Sequence, residues 1–234
     1  MDMSQECRHT CVVVPAYNES GAIGPVVASL VARFGSVVVV DDGSTDATAV
    51  QATASGATVL RHAVNLGQGA ALQTGIEYAA AQPGVKHVLT FDADGQHDVE
   101  DAVAAVGHAA RSGVELVLGS RFLSHATHVP LLRRAVLRAG LCFSRVSTGM
   151  HLTDTHNGLR VLSRPAAAEL RLRQHGMAHA SEILEFASAR GWKYLEVPAR
   201  VQYTEYSLAK GQSSINAVNV LFDLAAARLR GPAA

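Results

Sequence analysis

The sequence predicts an α/β fold whose mostly parallel sheet is flanked by helices. Over residues 1–120, short apolar runs rich in Val and Leu alternate with helix-like stretches, which is the pattern of βαβ units. These runs show little alternation of apolar and polar side chains, which is typical of parallel strands buried on both faces. The chain has 234 residues, of which 48% are apolar, so it is long enough for one domain with a large core.

The elements predicted in the first half follow one another in a regular order. Strands are expected at residues 10–14, 36–40, 57–60, 85–91 and 114–118, and helices at 22–34, 47–54, 70–81 and 99–111.

The second half of the chain is less regular. A helix is expected at 131–146, where Arg134, Arg138 and Arg145 share one face. A strand is expected at 159–162, a helix at 179–190, a strand at 194–201 and a last helix at 213–230. We therefore divide a single domain into residues 1–120, 121–212 and a C-terminal helix within 213–234.

The zero net charge of the chain argues against a general nucleic-acid binder and hides a strong asymmetry. Residues 1–120 hold 5 basic and 13 acidic residues, a net of −8, whereas residues 121–173 hold 9 Arg and 2 acids, a net of +7. Such a pairing suits a ligand with several phosphates and a metal, because acids hold the metal and arginines the phosphate oxygens. Ordinary surface charge is the alternative explanation.

Polar clusters follow four of the predicted strands. They are Pro15-Ala16-Tyr17-Asn18-Glu19, Asp41-Asp42-Gly43-Ser44, Asp92-Ala93-Asp94-Gly95-Gln96-His97 and Gly119-Ser120-Arg121. Open α/β sheets bind ligands outside the carboxyl ends of their strands. The four clusters are therefore expected to converge on one crevice.

The carboxylates of Asp92 and Asp94 give the sharpest prediction. Two such groups one residue apart in an extended segment project the same way and are able to bind one divalent cation, with Gln96 adding a carbonyl oxygen. As a plain turn, the same residues would need no metal.

Asp41 and Asp42 likewise suit a turn. A turn needs only one of the two carboxylates, so the other is available to a base N–H or a ribose hydroxyl. Asn65-Leu66-Gly67-Gln68-Gly69 fits a tight turn into a helix, with backbone N–H groups left for a ligand.

Several other classes of site are disfavoured. The glycine fingerprint of a Rossmann dinucleotide site is missing after the first strand, and there is no P-loop motif. The histidines show no zinc-ligand spacing. Cys7, Cys11 and Cys142 indicate reduced thiols in a cytosolic protein.

The motifs at residues 12–19, 41–46 and 92–97, in this order, resemble those of family 2 glycosyltransferases with the GT-A fold. Within that family the chain is similar to the polyprenyl-phosphate (dolichyl-phosphate) mannose and glucose synthases. Supporting segments are Gly119-Ser120-Arg121, Asp154-Thr155-His156-Asn157-Gly158-Leu159-Arg160, and Glu182 with Glu196-Val197-Pro198.

The resemblance implies a metal-dependent, inverting transfer of a sugar from a nucleotide diphosphate sugar of the GDP or UDP type. Residues 1–120 would bind this donor and residues 121–212 the acceptor. The implied nucleotide-binding residues are Pro15, Ala16, Tyr17, Asn18, Glu19, Asp42, Gly43, Ser44, Asn65, Gly67, Asp92 and Ala93. Asp92, Asp94 and Gln96 would hold Mg²⁺ or Mn²⁺, and the catalytic residues would be Asp94, Arg121, Asp154 and Glu182.

The implied acceptor is a polyprenyl phosphate, whose phosphate would be bound by Arg121, Arg134, Arg138 and Lys210. Lys210 is the cation nearest to where that group usually has Arg followed by Gly-x-Ser, a motif that this sequence lacks. A hydroxyl acceptor on a glycan or small molecule is the alternative. It would need a general base, for which Glu182 and Asp154 are the candidates.

Two hypotheses from other classes remain, a sugar nucleotidyltransferase and a non-catalytic nucleotide-sugar-binding protein. The former should carry a Gly-rich basic loop after the first strand, where this chain has Pro15-Ala16-Tyr17-Asn18-Glu19. No run approaches the roughly 20 apolar residues of a membrane span. We expect a cytoplasmic protein, either free or peripheral on the cytoplasmic face of the membrane.

Overall fold

The computed structural model describes residues 2–123, 141, 145, 147–155, 157–176 and 178–202. The helices within these residues are α1 (Met3–Arg8), α2 (Ile23–Val31), α3 (Thr48–Ala54), α4 (Gln68–Ala81), α5 (Val99–Ser112), α6 (Arg164–Glu169) and α7 (His179–Ala189). The strands are β1 (Thr10–Ala16), β2 (Ser36–Asp41), β3 (Thr58–Arg61), β4 (His87–Thr90), β5 (Leu116–Ser120), β6 (Arg160–Ser163) and β7 (Tyr194–Pro198).

The strands form one sheet in the order β3-β2-β1-β4-β6-β5-β7. β6 is antiparallel to both of its neighbours, β4 and β5, while the other pairs are parallel. All strands except β6 therefore run in one direction. Their carboxyl ends share one edge of the sheet with the start of β6, where Arg160 pairs with Thr90 of β4 and Leu118 of β5.

Helices cover both faces of the sheet, and alternate residues of the central strands point to opposite sides. Val12 and Val14 of β1 pack with α2 and α5 in one apolar cluster. Val13 packs with α4, α6 and α7 in a second cluster on the other face. This three-layer arrangement explains the nearly continuous apolar sequence of β1 and β2, which are buried on both faces.

The structure confirms the predicted fold class and places every predicted element that lies in the described residues, with ends shifted by a few residues. Two short helices, α1 and α6, are absent from the prediction, as is the reversed direction of β6. The helices predicted at 131–146 and 213–230 lie mostly or wholly outside the described residues. The division into residues 1–120, 121–212 and 213–234 stays a prediction. Among the helices of the described residues, none has the length and apolar character needed to cross a bilayer.

Candidate active site

The predicted site residues of the described chain lie on loops and element ends around the carboxyl edge of the sheet. Pro15 and Ala16 end β1, and Asp154 precedes β6. The remaining predicted residues lie after β1 (Tyr17, Asn18, Glu19), after β2 (Asp42, Gly43, Ser44), between β3 and α4 (Asn65, Gly67), after β4 (Asp92, Ala93, Asp94, Gln96), after β5 (Arg121) and in α7 (Glu182).

Asn18 and Ser44 join the loops that follow β1 and β2. The backbone N–H of Asn18 donates to Ser44 Oγ (2.9 Å), and Asn18 Oδ1 accepts from the backbone N–H of Thr45 (2.9 Å). Asn18 has a φ of 53°, a left-handed conformation that Asn tolerates better than most residues. The side chain of the preceding Tyr17 is 44% exposed. The two loops thus form one unit, with an aromatic ring at its surface.

Asp42 is buried and holds the loop between β3 and α4. Its carboxylate accepts from the backbone N–H groups of Leu66 (2.9 Å) and Gly67 (2.7 Å), and it lies 2.7 Å from His62 Nδ1. These contacts fix the turn that contains Asn65, whose side chain is exposed. In this structure the carboxylate therefore positions a loop, and its predicted contact with a nucleotide base stays a prediction.

The carboxylate pair follows β4, as the sequence predicts. Asp92 lies 3.3 Å from His97 Nε2 and accepts a long hydrogen bond from Gln68 Nε2 (3.5 Å). Asp94 accepts from the backbone N–H of Gln96 (3.0 Å). Between them, Ala93 is buried in the core and anchors the loop.

The two carboxyls have opposite electrostatic surroundings. Burial and the negative charge of Asp92 raise the pKa of Asp94 to about 6. Burial also opposes ionisation of Asp92. However, the hydrogen bond and charge of His97, with the charges of Arg160 and His179, outweigh burial and lower the pKa of Asp92. Asp94 therefore experiences a repulsion that a bound cation would relieve.

These residues fit a divalent cation bound through oxygen atoms. In the described part of the chain, no group of three or more His, Cys, Asp or Glu side chains is placed to hold a metal ion. Mg²⁺ characteristically takes one or two carboxylates and completes its shell with water and substrate phosphates, which matches a pair of Asp side chains. Gln96 is buried and its side-chain Nε2 has no hydrogen-bond partner. Its role as a third ligand of the cation stays a prediction.

Arg121 and Asp154 form a buried ion pair at the end of β5. Arg121 Nε donates to Asp154 Oδ2 (2.6 Å), and the backbone N–H of Arg121 donates to the same oxygen (3.1 Å). Glu196 of β7 accepts from the backbone N–H groups of Thr153 (2.9 Å) and Asp154 (3.1 Å). This network fixes a guanidinium at the edge of the sheet, and it engages the carboxylate of Asp154.

Glu182 in the first turn of α7 holds another loop. Its carboxylate accepts from the backbone N–H groups of Arg173 (2.9 Å) and Gln174 (2.8 Å). The next residue, His175, accepts from the backbone N–H of Gly69 in α4 (2.8 Å). Glu182 thus fixes a segment that packs against the start of α4.

Comparison with known proteins decides the family. A family model described as glycosyl transferase family 2 matches residues 11–165. The chain belongs to glycosyltransferase family 2. It is an enzyme with the GT-A fold, as its resemblance to that family predicts.

Two relatives of this glycosyltransferase match along most of their length. An uncharacterized protein of Methanocaldococcus jannaschii is 37% identical over 219 residues, which is 91% of this chain and 89% of that protein. The UDP-N-acetylglucosamine–dolichyl-phosphate N-acetylglucosaminyltransferase of Methanococcus voltae is 30% identical over 236 residues, with 91% and 93% covered.

A solved structure shares the fold of this glycosyltransferase. It is glucosyl-3-phosphoglycerate synthase from Mycobacterium tuberculosis in complex with Mn²⁺, uridine diphosphate and glucosyl-3-phosphoglycerate. The TM-score is 0.67 at 21% sequence identity, over 93% of this chain and 79% of that chain.

Three residues assigned to the acceptor of this glycosyltransferase, Arg134, Arg138 and Lys210, lie outside the described residues. Two residues that the structure places beside Asp92, His97 and Arg160, are not among the predicted site residues. Both residues belong to motifs visible in the sequence. His97 ends the segment 92–97 that follows β4, and Arg160 ends the segment 154–160 and begins β6. What the sequence lacked was the direction of β6, which brings Arg160 to this edge.

Proposed function

We propose that this glycosyltransferase transfers a sugar, with inversion, from a nucleotide diphosphate sugar to a polyprenyl phosphate, using a divalent cation held by Asp92 and Asp94. The observation that carries the proposal is the carboxylate pair at the end of β4. Burial and the negative charge of Asp92 together raise the pKa of Asp94 to about 6, and a bound cation would relieve the repulsion between the two carboxylates.

The loops after β1 and β2 support a nucleotide on the β1–β2 side of the pair. Asn18 and Ser44 fix these loops to each other, and Tyr17 presents an exposed ring on which a base can stack. The names of the Methanococcus voltae relative and of the Mn²⁺ complex favour a UDP-type donor.

The chain's own residues would manage the charge that develops as the nucleoside diphosphate leaves. Asp92 and Asp94 would hold Mn²⁺ or Mg²⁺, which supplies a Lewis acid to the diphosphate. Arg121 brings a buried guanidinium to the same edge, where fixed charges act strongly because little water screens them. Asp154 keeps that guanidinium in place at 2.6 Å.

The state of the two candidate bases supports a phosphate acceptor. A hydroxyl acceptor needs a carboxylate that is available to take a proton. Asp154 is engaged by the Arg121 guanidinium, and Glu182 is engaged by the backbone of Arg173 and Gln174. A phosphate is already an anion and needs no base, which favours a polyprenyl phosphate reached at the cytoplasmic face of a membrane.

A thermal-shift screen tests the donor and the metal together. The purified chain is heated with GDP, UDP, dTDP or CDP, each with and without Mn²⁺. We expect one nucleotide to raise the Tm in a manner that depends on Mn²⁺, since ligands that bind only the folded state stabilise it. Asp94→Ala should lose this shift and the transfer activity, whereas Glu77→Gln on the exposed face of α4 should keep both. An unchanged Tm with all four nucleotides would contradict the proposal.

Glu182→Gln tests the acceptor class. Loss of a general base lowers turnover by about 10²–10⁴-fold. We expect turnover to fall by less than about tenfold, since the Gln oxygen can still accept from the backbone of Arg173 or Gln174. Radiolabel transfer to a short polyprenyl phosphate measures it, alongside the Tm. A larger loss of turnover with normal donor binding would instead support a hydroxyl acceptor.

A further inference from the structure

A small pocket lies beside the carboxylate pair, on the side where α4 and α7 cover the sheet. Its volume is about 50 Å³, and Asp92, Gly158 and Arg160 line it together with Gln68 and His179 at the starts of the two helices. This volume is sufficient for a carboxylate or a phosphate group.

Arg160 is the unusual member of this pocket. Arg160 is 3% exposed, and within the described chain its guanidinium makes no hydrogen bond and no ion pair. Burial lowers the pKa of Arg160, while the negative charges of Asp92 and Asp154 oppose that shift. A guanidinium has five N–H donors, and buried donors are almost always paired. Its donors therefore remain available to a group inside the pocket.

Two helix N-termini reach the same pocket. The 14-residue α4 begins at Gln68 and the 11-residue α7 begins at His179, and both residues line the pocket. Neither helix has a side-chain hydrogen bond at its N-cap. The partial positive charge of each N-terminus adds to the charge of Arg160.

The balance of charge in the pocket depends on Asp92. Asp92 carries the negative charge of its lining and Arg160 a permanent positive charge, and these two charges offset each other. If Asp92 binds a divalent cation, as proposed above, the positive charge of Arg160 is no longer offset. An anionic group would then restore neutrality.

We infer that this pocket is an oxyanion subsite, in which Arg160 and the starts of α4 and α7 bind a negatively charged substituent of a substrate. The inference rests on the proposed function. The substituent is either the carboxylate of a hexuronic acid in the donor or a phosphate oxygen of the acceptor. Both supply the same chemistry, and Arg160 recognises it through charge-assisted hydrogen bonds.

The test compares nucleotide sugars that differ only at one carbon. Isothermal titration with Mn²⁺ pairs UDP-glucose with UDP-glucuronic acid, and GDP-mannose with GDP-mannuronic acid. A third titration adds inorganic phosphate to the complex with Mn²⁺ and the nucleoside diphosphate. The proteins are the wild type, Arg160→Gln, Arg160→Lys and the control Arg33→Gln, whose exposed guanidinium pairs with Glu100.

For a donor carboxylate, the wild type should bind the uronic acid at least about tenfold more tightly than the neutral sugar. Arg160→Gln should remove this difference, Arg160→Lys should restore part of it, and binding of the nucleoside diphosphate should hardly change. For an acceptor phosphate, the two sugars should bind alike and Arg160→Gln should weaken phosphate binding by a similar factor.

Other outcomes separate the two proposals. If the wild type binds nucleotide with Mn²⁺ but shows neither the preference for the uronic acid nor phosphate binding, the subsite is overturned and the proposed function stands. If the wild type binds no nucleotide, both fall. The wild-type preference does not depend on any variant, so the test holds even if Arg160→Gln fails to fold.

Discussion

Asp92 and Asp94 are two positions apart, yet their surroundings shift the pKa values of their carboxyls in opposite directions. Asp92 has His97 at 3.3 Å and the charges of Arg160 and His179 nearby, and its pKa is lowered. Burial, followed by the like charge of Asp92, raises the pKa of Asp94 to about 6. In the folded chain Asp92 is thus a stable anion, whereas ionisation of Asp94 costs free energy.

This cost predicts a pH-dependent gain in stability for Asp94→Asn. The folded pKa of about 6 exceeds the ordinary value of 3.8, so ionisation of Asp94 destabilises the fold. The effect is complete above pH 6 and disappears as the pH falls towards 4. Without metal, we expect the variant to have the higher Tm at pH 7.5 and the same Tm as the wild type near pH 4.

Calorimetry at a series of pH values measures this difference, and Glu77→Gln is the control that should show none. Added Mn²⁺ should raise the Tm of the wild type and leave that of Asp94→Asn unchanged. An equal or lower Tm for Asp94→Asn at pH 7.5 would show that its carboxyl is not repelled in the fold.

Gly158 is the residue that leaves room for Asp92. A Cβ added at Gly158 would lie 1.9 Å from Asp92 Oδ2. We expect Gly158→Ala to displace the carboxylate and to lower transfer by about 10²-fold, since small displacements of catalytic groups have effects of this size. Gly176→Ala is the matched control, because nothing lies within 4 Å of its added Cβ. Equal transfer rates for the two variants would show that the position of Asp92 is not critical.

Individual residues show where sequence reasoning succeeds and where it fails. The pair of carboxylates after β4 was predictable because spacing in an extended segment determines direction. The hydrogen bonds made by the carboxylates of Asp42 and Glu182 were not predictable, because their donors lie in other segments of the chain. These donors are the backbone N–H groups of Leu66 and Gly67 for Asp42, and of Arg173 and Gln174 for Glu182.

At the scale of elements, the contact between α4 and β1 fixes the wall of the site. Gly75 of α4 lies against β1 so closely that an added Cβ would be 2.3 Å from Val13 Cγ1 and 3.1 Å from Val40 Cγ2. Both valines are buried in rigid strands and have no room to move aside. Glycine at this position therefore lets α4 approach the sheet and brings its N-terminus to the pocket.

This close approach predicts a loss of stability in Gly75→Ala. We expect it to lower the free energy of unfolding by about 1–3 kcal/mol, the usual cost of overpacking a core. Gly24→Ala in α2, where the nearest atom is 3.7 Å from the added Cβ, should instead raise it by up to about 1 kcal/mol. Urea denaturation measures both. A stable Gly75→Ala would mean that α4 is able to shift outward, and its crystal structure should then show a wider pocket.

Elements were predictable where the apolar pattern is long. β1, β2, α4 and α5 have such patterns, and α5 also carries Asp98 as a cap at its start and Gly113 at its end. The six residues of α1 and of α6 are too few to show a helical period. The direction of β6 leaves no trace in its four residues, because a buried strand reads the same in either orientation.

At the scale of the whole molecule, the two charge regions of the sequence meet at one edge. The acidic first half supplies Asp92 and Asp94, while Arg121 and Arg160 come from the basic stretch of residues 121–173. Arg160 influences Asp92, and Arg121 pairs with Asp154. The two charge regions of the sequence therefore contribute to one site. Of the nine arginines in the basic stretch, the sequence indicated Arg121 through the cluster after β5 but gave no site role to Arg160.

The insertion of β6 between β4 and β5 also constrains the order in which the chain folds during synthesis. On the ribosome, β4 and β5 are complete some 40 residues before β6 emerges, and neither can pair with the other in the final order. Until then both present open backbone edges, which invite association with neighbouring chains. Nascent molecules that stall in this interval should be clients of chaperones. When β6 joins β4 to β5 it brings Gly158 and Arg160 to the pocket, and α7 then completes the pocket wall.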